Sequence, residues 1–307
     1  MKRFILKTTL TFILPMLLLL ACIEVVLRSF DNDYRNKEAW MQAHAQQVEV
    51  LALGSSHGFY GIRPDCFDKK AYNLGFSAQS IKYDQYLFNR YIDRLTNLQV
   101  VILPISYFSL FSEMETAGSW ASVKAYHIYM GCDYHPYNPI YQLELINKEK
   151  WLGLAKKVGK EMSFAVADSL GWGYKREWGN QKPNFKQEAM HTVAHHSRSG
   201  KASTLANQER LQNIIETCGK RNIQVLLLTT PTHACYYTLL DSAQLAKTQN
   251  ICQQLDKKFE HVTYLNLLKD STFTDDDFYD GDHVNRQGAA KLSTKLNNWL
   301  CGDAVMR

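Results

Sequence analysis

A serine follows a predicted strand in a position typical of a nucleophile. Residues 48–53 are mostly apolar, which predicts a buried strand, and the sequence GSSHG at 54–58 ends that strand sharply. In α/β sheets, reactive groups collect in the loops at the carboxyl ends of the strands. The hydroxyl of Ser56 could attack a carbonyl there while its own backbone N–H stabilises the oxyanion. Because serine also favours helix N-caps, a capping role is the structural alternative.

An acid and a histidine stand three residues apart further along the chain. Asp280 precedes His283 across a glycine, between a predicted strand at 262–265 and a predicted helix at 288–300. A carboxylate at this spacing can accept the imidazole Nδ1–H while Nε2 faces a serine. Asp282 is the other candidate acid, and a solvated acidic loop is the structural alternative. The three residue types together predict a Ser-His-Asp triad.

Predicted strands and helices alternate along the chain around these residues. Strands that are apolar nearly throughout and alternate with helices indicate a parallel sheet covered on both faces. We therefore predict an α/β, doubly wound, flavodoxin-like sandwich of about five parallel strands, with Ser56 and His283 at the same edge of the sheet. The remaining predicted strands are residues 71–74, 98–105 and 223–228, and the remaining predicted helices are 79–95, 207–218 and 240–259.

The N-terminal segment is apolar enough to cross a membrane. Between residues 4 and 27 the only charges are Lys7 and Glu24, and about 20 mainly apolar residues suffice to span a bilayer. Two more basic residues precede this segment, so the positive-inside rule keeps the short N-terminal side in the cytoplasm. We predict a single-pass protein of the inner (cytoplasmic) membrane whose catalytic domain is extracytoplasmic, in the periplasm.

The membrane anchor has two alternatives. A cleaved signal peptide needs small residues after its apolar core, and the sequence IEVVL at 23–27 supplies none. The second alternative is lipidation, since the sequence LLAC that ends at Cys22 resembles a lipoprotein processing box. The apolar run continues past Cys22, however, which favours an uncleaved helix. We therefore predict an anchor at 1–30 and an α/β domain at 31–307 with an insertion at about 107–205.

Composition excludes several classes of function. The formal net charge is +5 with the basic residues spread along the chain, whereas a nucleic-acid partner requires a clustered basic face, so none is predicted. The seven cysteines include no CxxC pair, and His191, His195 and His196 have no carboxylate at a suitable spacing. No metal site is therefore predicted. The chemistry of a Ser-His-Asp triad requires no cofactor, and we predict none.

These motifs resemble those of the SGNH/GDSL hydrolase superfamily. Its members carry a glycine-x-serine block after the first strand and an Asp-x-x-His block near the end, which implies Ser56 as nucleophile, Asp280 as orienting acid and His283 as general base. The sequence NLGFS at 73–77 resembles the second block, which implies that the Gly75 N–H joins the Ser56 N–H in an oxyanion hole. An anchor combined with GSSH and DHVN sequences resembles the membrane-anchored branch, which includes proteins of polysaccharide O-acetylation and of D-alanine transfer to teichoic acids.

One block departs from the superfamily pattern. The third block supplies an asparagine to the oxyanion hole, but the matching strand end here, LPISY at 103–107, has none. Loss of one oxyanion donor typically costs about 10²–10³ in rate. Ser106 is a candidate replacement or substrate contact. His57 is a second candidate contact with substrate, with a local role at the start of a helix as its alternative.

The resemblance implies a membrane-anchored serine esterase or O-acyltransferase that acts on acyl esters, foremost acetyl, of cell-envelope glycans. Its expected partners are an acylated glycan or other ester substrate, the membrane through the N-terminal helix, and a membrane acyltransferase. The missing asparagine favours a second hypothesis, a catalytically weak envelope polysaccharide assembly or glycan-binding protein that uses the same cleft. A phospholipid or thioester hydrolase is a third.

Overall fold

The computed structural model of the protein describes residues 2–135, 137–138, 141–147, 150–151, 163–174, 184–197 and 203–302. The chain divides into two compact units, each considered by itself below. The smaller unit combines Met1–Glu38 with Trp120–Ala165, and the larger combines Ala39–Ser119 with Val166–Arg307. The predicted insertion at 107–205 is thus shared between the two units.

The larger unit is built on a parallel sheet of five strands. The strands are Val50–Ala52 (β1), Ala71–Asn73 (β2), Val100–Pro104 (β3), Gln224–Thr229 (β4) and Val262–Asn266 (β5). Their order is β2-β1-β3-β4-β5, the order of a flavodoxin-like fold. Strand β1 pairs on both sides, with Leu51 beside Tyr72 in β2 and beside Val101 in β3. The predicted doubly wound α/β architecture is confirmed.

The strands form a sheet because their sequences are apolar nearly throughout. Every residue of β1 and β3 is buried, and in β4 only Gln224 is exposed. Successive side chains point to opposite faces, so both faces must be covered. On one face Ile102 and Leu226 belong to a core cluster that also contains the helix residues Leu292 and Leu296. Burying such an aliphatic side chain stabilises the fold by about 1.5–3 kcal/mol.

Helices follow most of the strands, as predicted. Within the described ranges they are Lys2–Ser29 (α1), Asp33–His44 (α2), Ser56–Gly61 (α3), Ile81–Tyr91 (α4), Trp120–Met130 (α5), Phe185–His196 (α6), Thr204–Lys220 (α7), Ala234–Tyr237 (α8), Ser242–Lys258 (α9) and Arg286–Leu300 (α10). Side-chain caps stabilise the starts of four of these helices, α6, α8, α9 and α10. Asp241 accepts the Gln244 N–H before α9, and Asn285 accepts two N–H groups at the start of α10. The cap at Asn285 fixes the direction in which the chain leaves the loop that holds His283.

The smaller unit contains the apolar N-terminal helix. Helix α1 has 28 residues and a mean hydropathy of 2.6 in its most apolar window, and it is the one helix among the described residues that is long and apolar enough to cross a membrane. Its apolar side chains are mostly exposed, for example Phe12 at 70% and Leu19 at 60%. A helix in the core of a soluble protein would bury these side chains.

Candidate active site

The turn between β1 and α3 places Ser56 at the edge of the sheet. Gly54 has a φ of +101°, a left-handed conformation that favours glycine. A Cβ on Gly58 would stand 2.4 Å from the Leu53 carbonyl oxygen, so the helix and the strand end approach closely only because this residue is glycine. The tight turn leaves Ser56 as the first residue of α3, partly exposed. The serine predicted as nucleophile therefore lies at a carboxyl end of the parallel sheet.

The loop between β5 and α10 brings His283 to this serine. His283 Nε2 lies 2.8 Å from the Ser56 Oγ. On its other side, His283 Nδ1 lies 2.9 and 3.0 Å from the two carboxylate oxygens of Asp280, which also accepts the His283 backbone N–H at 2.8 Å. The backbone hydrogen bond fixes the loop so that the imidazole faces both partners. The structure thus brings together the three residues that the sequence analysis predicted as a triad, in the hydrogen-bonded order Ser-His-Asp.

A second, buried group of side chains lies beside the triad. Asp282, the alternative acid, stands 3.4 Å from His283 Nδ1, further away than Asp280, and its other oxygen lies 3.0 Å from His57 Nε2. His57 Nδ1 lies 2.7 Å from the Ser106 Oγ and 3.3 Å from the Thr230 Oγ1. Asp282 therefore joins two histidines, one in the partly exposed triad and one in the interior.

Burial and charge set the protonation of this cluster. Burial by itself lowers the pKa of His283, but the negative charges of Asp282 and Asp280 outweigh it and raise that pKa to about 10. Burial lowers the pKa of His57 despite its hydrogen bond to Asp282, so His57 is neutral at neutral pH. Burial by itself raises the pKa of Asp282, but the charge and hydrogen bonds of the two histidines hold it well below its usual range. The cluster thus contains an ionised carboxylate between a charged and a neutral imidazole.

His57 and Ser106, the two candidate substrate contacts, are buried beside the triad, His57 also lines the cleft, and their contact with substrate stays a prediction. His57 is 4% exposed and Ser106 is 2% exposed. Their polar side-chain atoms bond each other, and the Ser106 N–H is taken by the Ser109 Oγ at 2.9 Å. Ser106 therefore does not present its N–H in place of the missing asparagine. The alternative role for His57 is a local one at the start of its helix. Its side-chain partners come from distant segments of the chain, so the structure does not support that local role.

The geometry at Gly75 differs from an open oxyanion hole. Its N–H donates to the Asn73 Oδ1 at 2.9 Å, and Asn73 Nδ2 donates to the carbonyls of Gly58 and Ile62 at 2.9 and 2.8 Å. Asn73 is fully buried and ties the end of β2 to α3. The role of Gly75 as an oxyanion donor stays a prediction, and it requires this hydrogen bond to open. The Ser56 N–H, in the first turn of α3, has no carbonyl partner within its own helix.

Two residues of the cleft escaped the sequence analysis. The ring of Tyr60 stands edge to face with His283 at 5.9 Å between centroids. Thr230 follows β4 and lines the same cleft together with Pro231, Ser56 and His283. The sequence TTPT at 229–232 is a polar turn at the carboxyl end of a predicted strand, which is the signal that could have located Thr230.

The histidines considered as metal ligands lie in different settings. His191 and His195 are exposed, whereas His196 Nδ1 lies 2.7 Å from the Tyr236 OH, and burial lowers the pKa of His196 to about 3. In the part of the chain that the structure describes, one group offers three ligand atoms within 4.8 Å of one another: His57, Asp282 and His283. Hydrogen bonds between these side chains account for their closeness. The expectation of no metal stays a prediction.

Comparisons with known proteins find likenesses among solved structures. No protein-family model matches the chain, and no curated protein matches it. Among solved structures, a GDSL-like lipase from Bacteroides thetaiotaomicron is 10% identical, covers 89% of this chain and 100% of its own, and has a TM-score of 0.42. An acetyl xylan esterase is 14% identical, covers 83% of this chain and 99% of its own, and has a TM-score of 0.42.

Proposed function

We propose that this chain is a serine esterase or O-acyltransferase of the SGNH type, with Ser56 as its nucleophile. The observation that carries the proposal is the continuous hydrogen-bonded order of side chains, 2.8 Å from the Ser56 Oγ to His283 Nε2 and 2.9 Å from His283 Nδ1 to Asp280. Both are hydrogen-bond distances, as a triad of nucleophile, general base and orienting acid requires. Ser56 and His283 are also partly exposed, so a substrate can reach them.

Each side chain has a defined part in the proposed reaction. His283 acts as the base in its neutral form, whose population grows as the pH rises toward the pKa of about 10. This imidazole takes the Ser56 proton as Oγ attacks the acyl carbonyl, and Asp280 stabilises the imidazolium that forms. Collapse of the tetrahedral intermediate expels the alcohol, which receives the proton from His283 and leaves an acyl-serine. Water, or a sugar hydroxyl in the transfer reaction, then gives its proton to His283 and attacks the acyl-serine. Collapse of this second intermediate breaks the bond to the Ser56 Oγ, which takes the proton back from His283. No cofactor takes part in these steps.

The oxyanion of this reaction needs backbone donors. The Ser56 N–H is the first, since the start of α3 has unpaired N–H groups. The Gly75 N–H becomes the second only if the developing negative charge draws it away from the Asn73 Oδ1, to which it donates at 2.9 Å. A charged acceptor forms a hydrogen bond roughly twice as strong as a neutral one, which favours this exchange.

The choice of acyl group rests on the resemblance rather than on a preformed cavity. Ser56, Tyr60, Thr230 and Pro231 line the cleft beside the nucleophile, and these side chains lie close together in this structure. A long acyl chain would require them to move further apart than an acetyl group would. The assignment to acetyl esters of a cell-envelope glycan follows the resemblance to polysaccharide O-acetylation proteins.

The proposed location is the inner membrane, with the larger unit in the periplasm. Helix α1 supports this location through its length and its exposed apolar surface. The basic residues before the apolar stretch favour a cytoplasmic N-terminal side. A membrane acyltransferase that supplies acyl groups is a fitting partner for a protein so placed.

A second candidate function is a catalytically weak protein that assembles or binds envelope glycans in this cleft. The observation that favours it is the engaged Gly75 N–H together with the absence of an asparagine at 103–107. If neither donor reaches the oxyanion, the rate falls by about 10²–10³ for each. Such a protein would keep the cleft and bind its ligand without efficient turnover.

Turnover of p-nitrophenyl esters by the full chain in lipid nanodiscs tests the proposal. The ester series runs from acetyl to octanoyl, and Ser56→Ala serves as the matched inactive variant. We expect hydrolysis of the acetyl ester, a decline with chain length, and loss of activity in Ser56→Ala. Equal rates for the folded wild type and Ser56→Ala would reject the enzyme and favour the binding protein.

A further inference from the structure

A carboxylate near the end of α1 is held by a segment from much later in the chain. Glu24 accepts the backbone N–H groups of Glu144 and Leu145 at 3.0 and 2.8 Å, and Arg28 Nε at 2.6 Å. Glu24 is 9% exposed, although most of the apolar side chains before it are exposed. The short turn Glu144–Ile146 is therefore fixed at the height of Glu24 along the helix.

Further contacts attach the same segment to the last turn of α1. Arg28 Nη2 donates to the Gln142 carbonyl at 2.7 Å. Lys150 Nζ donates to the Leu27 carbonyl at 3.2 Å and forms a buried ion pair with Glu144 at 2.9 Å. The described residues between 141 and 151 are thus held at the level of residues 24–28.

Helix geometry relates that level to a bilayer. With a rise of about 1.5 Å per residue, a hydrocarbon core about 30 Å thick takes about 20 residues. Counted from Phe4, the first residue after Lys2 and Arg3, the hydrocarbon core ends at Ile23. Glu24 then stands at the boundary, and residues 24–28 cross the headgroup layer, which is about 5–7 Å thick on each side.

Exposed apolar side chains flank the points of attachment. Ile146 is 47% exposed and is the last residue of the turn that bonds Glu24. Trp151 is 36% exposed and follows Lys150, and its indole N–H donates to the Leu145 carbonyl at 2.7 Å. A tryptophan with an exposed ring and a satisfied N–H suits the boundary between lipid and water.

We infer that residues 141–147 and 150–151 form a second membrane contact, which lies in the headgroup layer of the bilayer that α1 spans and places Ile146 and Trp151 against lipid. The inference rests on the proposed anchoring by α1. The partner is the lipid bilayer itself, whose headgroup layer accepts both the exposed apolar side chains and the neighbouring charge of Arg28. This contact adds a fixed point at the end of a helix that would otherwise tilt freely.

Quenching of tryptophan emission by lipids brominated near the headgroup tests the inference. The full chain is placed in phosphatidylcholine nanodiscs with and without the bromine atoms, as wild type, Trp151→Phe and Trp299→Phe. Trp299 packs against the core of the larger unit and serves as the matched control. We expect Trp151→Phe to lose most of the quenched emission and Trp299→Phe to keep it. A variant that adds a probe, Ile146→Trp, should gain quenched emission with every native tryptophan in place.

Co-flotation of the chain with the lipid separates the two ways in which the test could fail. A chain that floats with lipid but shows equal quenching in wild type and Trp151→Phe, and no gain in Ile146→Trp, is anchored without the second contact, which overturns this inference alone. A chain that does not float with lipid overturns the anchoring on which the inference rests.

Discussion

Replacing Asp282 with asparagine removes one of the two carboxylates that face His283 and keeps the size of the side chain. Asp282 lies 3.4 Å from His283 Nδ1 and 3.0 Å from His57 Nε2. Asparagine can still accept the His57 N–H, so the packing beside the triad is retained. The direct hydrogen bonds of Asp280 to His283 are untouched. The change therefore acts on the charge around the imidazole rather than on its position.

The size of the effect follows from the charges around His283. The two carboxylates raise its pKa from 6.5 to about 10, and Asp282 is the larger electrostatic contributor. An opposite charge within about 4–6 Å typically shifts a pKa by about 1–3 units. Removing Asp282 should therefore lower the pKa of His283 by about 2 units, which corresponds to about 2.7 kcal/mol. His283 acts as a base only in its neutral form, so activity rises as the pH passes through this pKa. The acid limb of the kcat/KM profile therefore moves to lower pH by about 2 units in Asp282→Asn.

A pH series with a p-nitrophenyl ester, from neutral to alkaline, measures this limb. Ser56→Ala provides the rate of spontaneous hydrolysis at each pH, which is subtracted. Each rate is divided by the plateau rate of the same protein at high pH. At a pH below both limbs, this ratio should be about 100 times larger for Asp282→Asn than for the wild type. An acid limb that stays in place, or that moves to higher pH, would refute the electrostatic role of Asp282.

Other substitutions test the surroundings of the triad. His57→Leu removes the hydrogen bond that a neutral imidazole gives to the buried carboxylate of Asp282 and should lower the free energy of unfolding in urea by about 1.5–3 kcal/mol, and a loss below about 0.5 kcal/mol would contradict the pairing. Gly58→Ala brings a Cβ to 2.4 Å from the Leu53 carbonyl oxygen and should destabilise the protein by about 1–3 kcal/mol in the same assay. The control Gly61→Ala, whose Cβ meets its nearest neighbour at an ordinary 3.5 Å, should cost far less, and equal losses would count against the tight turn. Asp280→Asn should lower kcat by about 10⁴ at nearly unchanged KM, and wild-type kcat would remove Asp280 from the mechanism.

Much of the fold could be read from local sequence patterns. The strands are short apolar runs that end at glycine or polar residues, so β3 and β4 were located within one or two residues of their ends. The partners of His283 were also readable, because the spacing from Asp280 lets one turn form both a backbone and a side-chain hydrogen bond. Local spacing fixes such features before tertiary contacts are known.

The buried histidine group could not be read in this way. His57 lies in α3, and Ser106, Thr230 and Asp282 lie in three separate loops. Only the strand order β2-β1-β3-β4-β5 brings these four segments together. No spacing in the sequence connects them. Parallel strands gather distant residues at one edge of a sheet, so pairings there depend on side-chain size and angle rather than on sequence distance.

The engaged N–H of Gly75 had a local signal that was missed. Asparagine side chains often bond the backbone N–H two residues further on, and Asn73 stands two residues before Gly75. The division into two units had no local signal in the sequence, because residues 120–165 are joined to 1–38 by contacts between distant segments.

Labelling by a serine-reactive phosphonate tests the central claim most directly. The full chain in nanodiscs is treated with the phosphonate, its intact mass is measured, and the labelled residue is mapped by fragmentation, beside Ser56→Ala and the neighbouring control Ser55→Ala. We predict one phosphonate per chain, on Ser56, retained in Ser55→Ala and absent in Ser56→Ala. No label on the folded wild type, or a label that persists in Ser56→Ala, would contradict Ser56 as the nucleophile.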